Sequence, residues 1–128
     1  GRNPTGAELR RLPVAAVVDV SAELPCAARG YRYANVPMLD LVAPTVAEIQ
    51  RATDAIALAR QSGPVLVCCA LGFSRSALAT GAWLLRAGEA ASVAEALERV
   101  RQARPAVVMG PSHRLALEAW WTAAGRRA

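Results

Sequence analysis

The sequence contains no lysine, only one histidine and only three cysteines among its 128 residues. One histidine and three cysteines, two of them adjacent, lack the ligand spacings of a metal site, so we expect no metal. They also do not make a disulfide framework, which favours a reducing compartment. No stretch approaches the roughly 18 apolar residues of a transmembrane helix, and no charged-then-apolar signal opens the chain. We therefore expect a cytoplasmic protein, or the cytoplasmic domain of a longer membrane protein.

Because lysine is absent, arginine alone supplies the positive charge, and the formal net charge is +5. This charge suits either attraction of anionic substrates or a solvated basic surface. Binding of nucleic acid is not expected, since the arginines are scattered and few aromatic side chains are available for stacking. Abundant alanine and arginine without lysine are typical of a bacterial gene of high GC content.

A chain of this length with 54% hydrophobic residues can bury one core, so residues 1–128 are predicted to form one domain, possibly part of a longer protein. Strands are predicted at 15–21, 32–37 and 64–69. Helices are predicted from capping boxes at Thr45 and Ser92, from about residue 75, and over 112–123. The alternation predicts an α/β fold with a mostly parallel or mixed sheet of four to five strands and helices on both faces.

The segment from Val65 to Ser76 joins a buried strand to a helix through a turn that holds Cys69 and, six residues later, Arg75. Backbone N–H groups at a helix N-terminus lack intrahelical partners and lie at the positive end of its dipole, so this turn can hold a phosphate. The dipole and Arg75 both favour the nucleophilic thiolate form of Cys69. Arg75 can also present its planar fork to two phosphate oxygens. A buried structural cysteine beside a helix-start arginine is the alternative interpretation.

Residues Cys69 to Ser76 fit the Cys-x5-Arg-Ser/Thr signature of cysteine-dependent phosphatases, and the chain resembles the dual-specificity branch of that family. The resemblance implies that Cys69 is the nucleophile, that Arg75 binds phosphate, and that Ser76 assists the thiolate. It assigns phosphate binding to the loop residues Ala70, Leu71, Gly72, Phe73 and Ser74. Four further segments resemble the same family in sequence: Val17 to Glu23, Tyr33 to Pro37, Val100 to Pro105 and Gly110 to Ser112. No cofactor is implied.

The resemblance also places the general acid at Asp40, in a loop upstream of Cys69. An acid before the nucleophile favours the dual-specificity type over low-molecular-weight tyrosine phosphatases, where it follows the loop. Asp19 is interpreted as a structural carboxylate within a strand, and Asp54 as an exposed helix residue. His113 is interpreted as a structural or surface residue.

Cys68 stands where the family usually has histidine. Because adjacent strand residues point to opposite faces, Cys68 is expected to pack as a small hydrophobe on the face away from Cys69. Loss of the histidine predicts a less acidic nucleophile.

The resemblance implies hydrolysis of phosphomonoesters through a cysteinyl-phosphate, on phosphotyrosine and phosphoserine or phosphothreonine in proteins. The apolar loop residues Ala70, Leu71 and Phe73 disfavour a highly charged inositol headgroup, while a simpler phospholipid stays open as a substrate. A catalytically silent phosphate-binding module is the remaining alternative. The oligomeric state does not follow from the sequence.

Overall fold

A computed structural model describes residues 16–21, 32–38, 43–69, 74–105, 107 and 109–125. The strands are β1 (Ala16–Ser21), β2 (Arg32–Met38) and β3 (Val65–Cys68). The helices are α1 (Val46–Arg60), α2 (Arg75–Arg86), α3 (Val93–Ala103) and α4 (Pro111–Ala123). The α/β alternation predicted from the sequence is therefore confirmed, with element ends that agree to within about one residue.

The described strands form a parallel sheet in the order β2-β1-β3. Ala16 lies opposite Arg32 on one side and Val65 on the other, and the register of β1 with β2 shifts between Asp19 and Ser21. Three strands are found in the described part of the chain, against the four to five predicted for the whole of it. The carboxyl ends of all three strands meet at one edge of the sheet, where parallel α/β sheets bind their ligands.

Both faces of β1 are buried. Ala16, Val18 and Val20 pack in one cluster with residues of α1, among them Ile56, and with Ala79 of α2. Val17 and Asp19 point to the opposite face and are also inaccessible to solvent. This burial agrees with the prediction of a sheet covered on both faces.

The two predicted capping boxes differ in the structure. At the start of α1, Thr45 accepts a hydrogen bond from the Glu48 amide, and the Glu48 side chain accepts from the Thr45 amide, as predicted. At the start of α3, Ser92 accepts from the Glu95 amide, but the Glu95 carboxylate accepts from the amide of Ala91 instead of Ser92. Each cap satisfies donors that the first helical turn cannot pair internally.

The helices pack around a second apolar cluster that contains Leu78 of α2, Leu97 of α3, and Leu117 and Trp120 of α4. The Trp120 indole also donates a hydrogen bond of 2.9 Å to Gln50 on α1. Burial of such side chains contributes about 1.5–3 kcal/mol each. The cluster packs α2 against α3 and α4, and this packing positions the start of α2 after β3.

Candidate active site

The turn from β3 to α2 forms the candidate site. β3 ends at Cys68, Cys69 follows it directly, and α2 begins at Arg75 after the N-cap residue Ser74. The Ser74 side chain makes no capping hydrogen bond, so it leaves the first amides of α2 to other acceptors. Phosphate at this helix end would accept from those amides. The predicted loop residues at 70–73 lie outside the described residues.

The structure brings Cys69 and Ser76 together. Both side chains are buried, and the Cys69 thiol donates a hydrogen bond to Ser76 Oγ over 3.5 Å. Ser76 is fixed in turn by its helical turn, because Thr80 Oγ1 donates to its main-chain oxygen at 2.8 Å. The same hydroxyl could donate to Cys69 once the thiol has ionised, since a hydroxyl is both donor and acceptor.

Arg75 is buried despite its charge, at 2% exposure. Its Nη1 donates a hydrogen bond of 3.0 Å to the main-chain oxygen of Met38, at the end of β2. A buried guanidinium requires such partners, because removing a charge from water is costly. The fork has five N–H donors, so the bond to Met38 is compatible with two further bonds to a phosphate.

Cys68 faces away from Cys69, as the strand alternation predicted. It pairs in register with Asp19 of β1, and both side chains are fully buried. Cys69 instead belongs to the apolar cluster on the face covered by α1 and α2. Cys68 and Cys69 are not joined by a disulfide.

The other acids that the sequence offered lie elsewhere. Asp19 is buried on the face opposite Cys69, with its main-chain oxygen accepting from Asn35 at 2.9 Å. Asp54 forms an exposed ion pair with Arg86, the last residue of α2. Since a helix rises by about 1.5 Å per residue, that pair lies roughly 16 Å from the first residue of α2. Asp40, the predicted acid, falls outside the described residues.

His113 lies in the first turn of α4 and is half-buried. Neither ring nitrogen has a hydrogen-bond partner among the described residues. This placement agrees with the structural interpretation of the residue. Among the described residues, no group of three or more histidine, cysteine and acidic side chains could hold a metal ion.

Sequence reasoning missed the main-chain oxygen of Met38 as a partner of the site arginine. No residue type signals a carbonyl acceptor, and the two residues are 37 positions apart. The only sequence feature that could have indicated this contact is the position of Met38, at the end of a strand that leads to the predicted acid.

A parallel α/β sheet whose strand-to-helix turn joins a cysteine, an arginine and a serine hydroxyl is the arrangement of a cysteine-based phosphatase. The family model of the dual-specificity phosphatase catalytic domain matches residues 3–122, and the chain belongs to this family. None of the curated proteins is similar enough to match.

The helices that the structure describes include none long and apolar enough to cross a membrane.

Solved structures agree with this assignment. The chain is 30% identical to Tk-PTP in its active form, with a TM-score of 0.81 over 94% of this chain and 88% of that one. It is 28% identical to human DUSP28, with a TM-score of 0.83 over 98% and 91% of the two chains. PTPMT1 shares the fold at 22% identity, with a TM-score of 0.79 over 94% and 86%. The predicted phosphatase family and fold are therefore confirmed.

Proposed function

We propose that this phosphatase acts on phosphotyrosine and on phosphoserine or phosphothreonine in proteins, with Cys69 as its nucleophile. The observation that carries the proposal is the pairing of the Cys69 thiol with Ser76 Oγ at 3.5 Å, beside the start of α2. This pairing supports the roles that the signature implies, because a cysteine enclosed only by apolar groups would have no partner for its charged form.

In the first step the Cys69 thiolate attacks phosphorus. The S–P bond forms while the ester P–O bond breaks, and Asp40 gives its proton to the departing oxygen. Arg75 and the loop amides hold the equatorial oxygens, on which charge is spread in the transition state. The buried position of Arg75 and its bond to Met38 favour this role, because a fixed guanidinium needs little reorganisation.

In the second step water attacks the cysteinyl-phosphate. Asp40, now a carboxylate, takes a proton from the water while the S–P bond breaks. Inorganic phosphate leaves and the thiolate is restored. Ser76 is in position to donate a hydrogen bond to the sulfur as negative charge returns to it.

The proposed substrate class is inferred from the apolar side chains in the loop sequence. Ala70, Leu71 and Phe73 add no positive charge around the phosphate, which favours a phosphorylated side chain over an inositol headgroup with several phosphates. PTPMT1 has been solved with PI(5)P, but at 21% identity this likeness shows the fold alone.

The test compares turnover of an aryl phosphate, phosphopeptides and phospholipid vesicles by the wild-type protein. We expect hydrolysis of the aryl phosphate and the phosphopeptides, with phosphopeptides preferred by kcat/KM. A preference for vesicles would transfer the assignment to a phospholipid phosphatase. Failure to hydrolyse any of them while still binding phosphate would identify a silent phosphate-binding module.

A further inference from the structure

A groove of about 560 Å³ lies apart from the candidate active site, beside the amino-terminal half of β3. Its floor is apolar, with Ile56 of α1, Val65 and Val67 of β3, and Trp83 of α2. Small-molecule sites commonly have volumes of about 300–1,000 Å³ and mostly apolar walls. The groove therefore has the size and lining of a ligand site, at the end of the strand opposite to Cys69.

Charged side chains stand at the rim of this groove. Arg60, the last residue of α1, and Arg104, the C-cap residue after α3, both line it and are exposed. Neither arginine forms an ion pair within the described part of the chain. Glu89 is the one acidic residue of the lining. Two arginines against one glutamate leave the rim positive.

We propose that this groove binds an amphipathic monoanion, a small molecule with an aromatic or aliphatic body and one acidic group. The body would cover Val65 and Trp83, and the acidic group would lie between Arg60 and Arg104. An aromatic ring on Trp83 gains stacking, and an acid beside an arginine gains charge-assisted hydrogen bonds. A highly charged ligand fits less well, because its further charges would face the apolar floor and Glu89.

The groove is linked to the candidate active site by a second cavity. Thr80 and Arg104 line the groove and also a smaller cavity of about 80 Å³, which reaches Ser76. A ligand in the groove would thus rest on two side chains that enclose the space next to the hydroxyl partner of Cys69. The binding itself does not depend on the proposed function.

The probe is 8-anilinonaphthalene-1-sulfonate, an aromatic monoanion whose fluorescence rises in apolar sites. It is titrated in excess inorganic phosphate, which occupies the catalytic loop. Arg60→Gln and Arg104→Gln should each weaken the affinity about two- to fivefold, the effect of losing one partly exposed charge pair. Glu89→Gln should strengthen it, because a repelling carboxylate is removed.

The matched control is Arg51→Gln. Arg51 and Arg60 lie nine residues apart on α1, about two and a half turns, so they project from opposite sides of the helix. Both substitutions change the net charge equally, and thermal melts check that all variants are folded. Equal losses at Arg51 and Arg60 would show unspecific attraction by the net charge and overturn the proposal.

Two competitors complete the test. Methanesulfonate carries the same acidic group without an apolar body and should not displace the probe, whereas unlabelled naphthalene-1-sulfonate should. Loss of probe binding in excess phosphate, compared with a titration without phosphate, would place the probe in the catalytic loop. Displacement by methanesulfonate would show a plain anion site. Either result contradicts an amphipathic ligand site in the groove.

Discussion

Arg75 Nη1 donates a hydrogen bond of 3.0 Å to the main-chain oxygen of Met38. The bond joins the first residue of α2 to the end of β2, two residues before Asp40 in the sequence. The side chain that we propose to hold phosphate thus also contacts the strand that leads to the proposed acid. One guanidinium can serve both partners because its donors point in several fixed directions.

The contact predicts that Arg75→Lys fails almost as badly as Arg75→Ala. A lysine ammonium keeps the charge, but it has no planar fork. It cannot make a bidentate pair with phosphate and at the same time donate a hydrogen bond to the main-chain oxygen of Met38. We expect kcat/KM for an aryl phosphate to fall by at least about 10²-fold in both variants, in the range for removal of a main oxyanion donor. Arg86→Lys, at the other end of α2, is the matched control and should retain activity. Near-normal turnover by Arg75→Lys would show that charge alone is sufficient.

The nucleophile is tested by Cys69→Ser. A serine hydroxyl is almost entirely un-ionised at neutral pH, so the first step should stop and turnover should be undetectable. Binding of a non-hydrolysable aryl phosphonate, measured by calorimetry, should survive because Arg75 and the loop amides remain. Cys68→Ser changes the neighbouring thiol and should keep turnover. Appreciable hydrolysis by Cys69→Ser, checked for contamination by mass, would remove Cys69 from its role.

Ser76→Ala should slow the second step more than the first. Its hydroxyl accepts from the Cys69 thiol at 3.5 Å, and the same hydroxyl can donate to the thiolate that leaves phosphorus. One hydrogen bond contributes about 0.5–1.5 kcal/mol, which corresponds to roughly a two- to tenfold lower rate. Rapid-quench measurements should then show a burst of alcohol release equal to the enzyme concentration, followed by slow turnover. A uniform loss without a burst would assign Ser76 to phosphate binding.

Local signals predicted most of the elements of this fold. Thr45 and Glu48 form their capping box because both lie at the first turn of α1. Their spacing in the sequence is therefore sufficient to predict the contact. The start of α4 at Pro111 was missed by one residue, although proline after Gly110 is favoured at the first helical position.

Contacts between distant residues could not be read in this way. The strand order β2-β1-β3 and the bond from Trp120 to Gln50, 70 residues apart, depend on how the layers pack. Of the candidate site, the sequence supplied Cys69, Arg75 and Ser76 because they share one turn. It could not supply Met38, which acts through a main-chain atom.

Cys68→His restores the residue usual in the family and tests its effect on the nucleophile. Position 68 lies opposite Asp19 in the sheet, on the face away from Cys69. An imidazolium at this position would therefore lie beside the Asp19 carboxylate and would act on the Cys69 sulfur from the other side of the strand. We expect faster alkylation of Cys69 by iodoacetamide between about pH 5 and 7, since positive charge favours the thiolate. Protein with Cys69→Ala is the blank for labelling of other thiols. Equal rates in wild type and variant would show that α2 and Arg75 activate the thiol without this neighbour.

The assignment of the acid is tested by Asp40→Asn. If Asp40 protonates the leaving oxygen, turnover of an alkyl phosphate should fall by roughly 10²–10⁴-fold, as general acid catalysis predicts. The loss should shrink for an aryl phosphate with a strongly electron-withdrawing ring, because its oxygen leaves without a proton. The decline in rate at high pH, where the acid has lost its proton, should also disappear from the profile of the variant. Asp54→Asn is the matched control, since Asp54 pairs with Arg86 at the far end of α2. If that control produced the leaving-group dependence while Asp40→Asn remained near wild type, the acid would have to be sought outside the loop after β2.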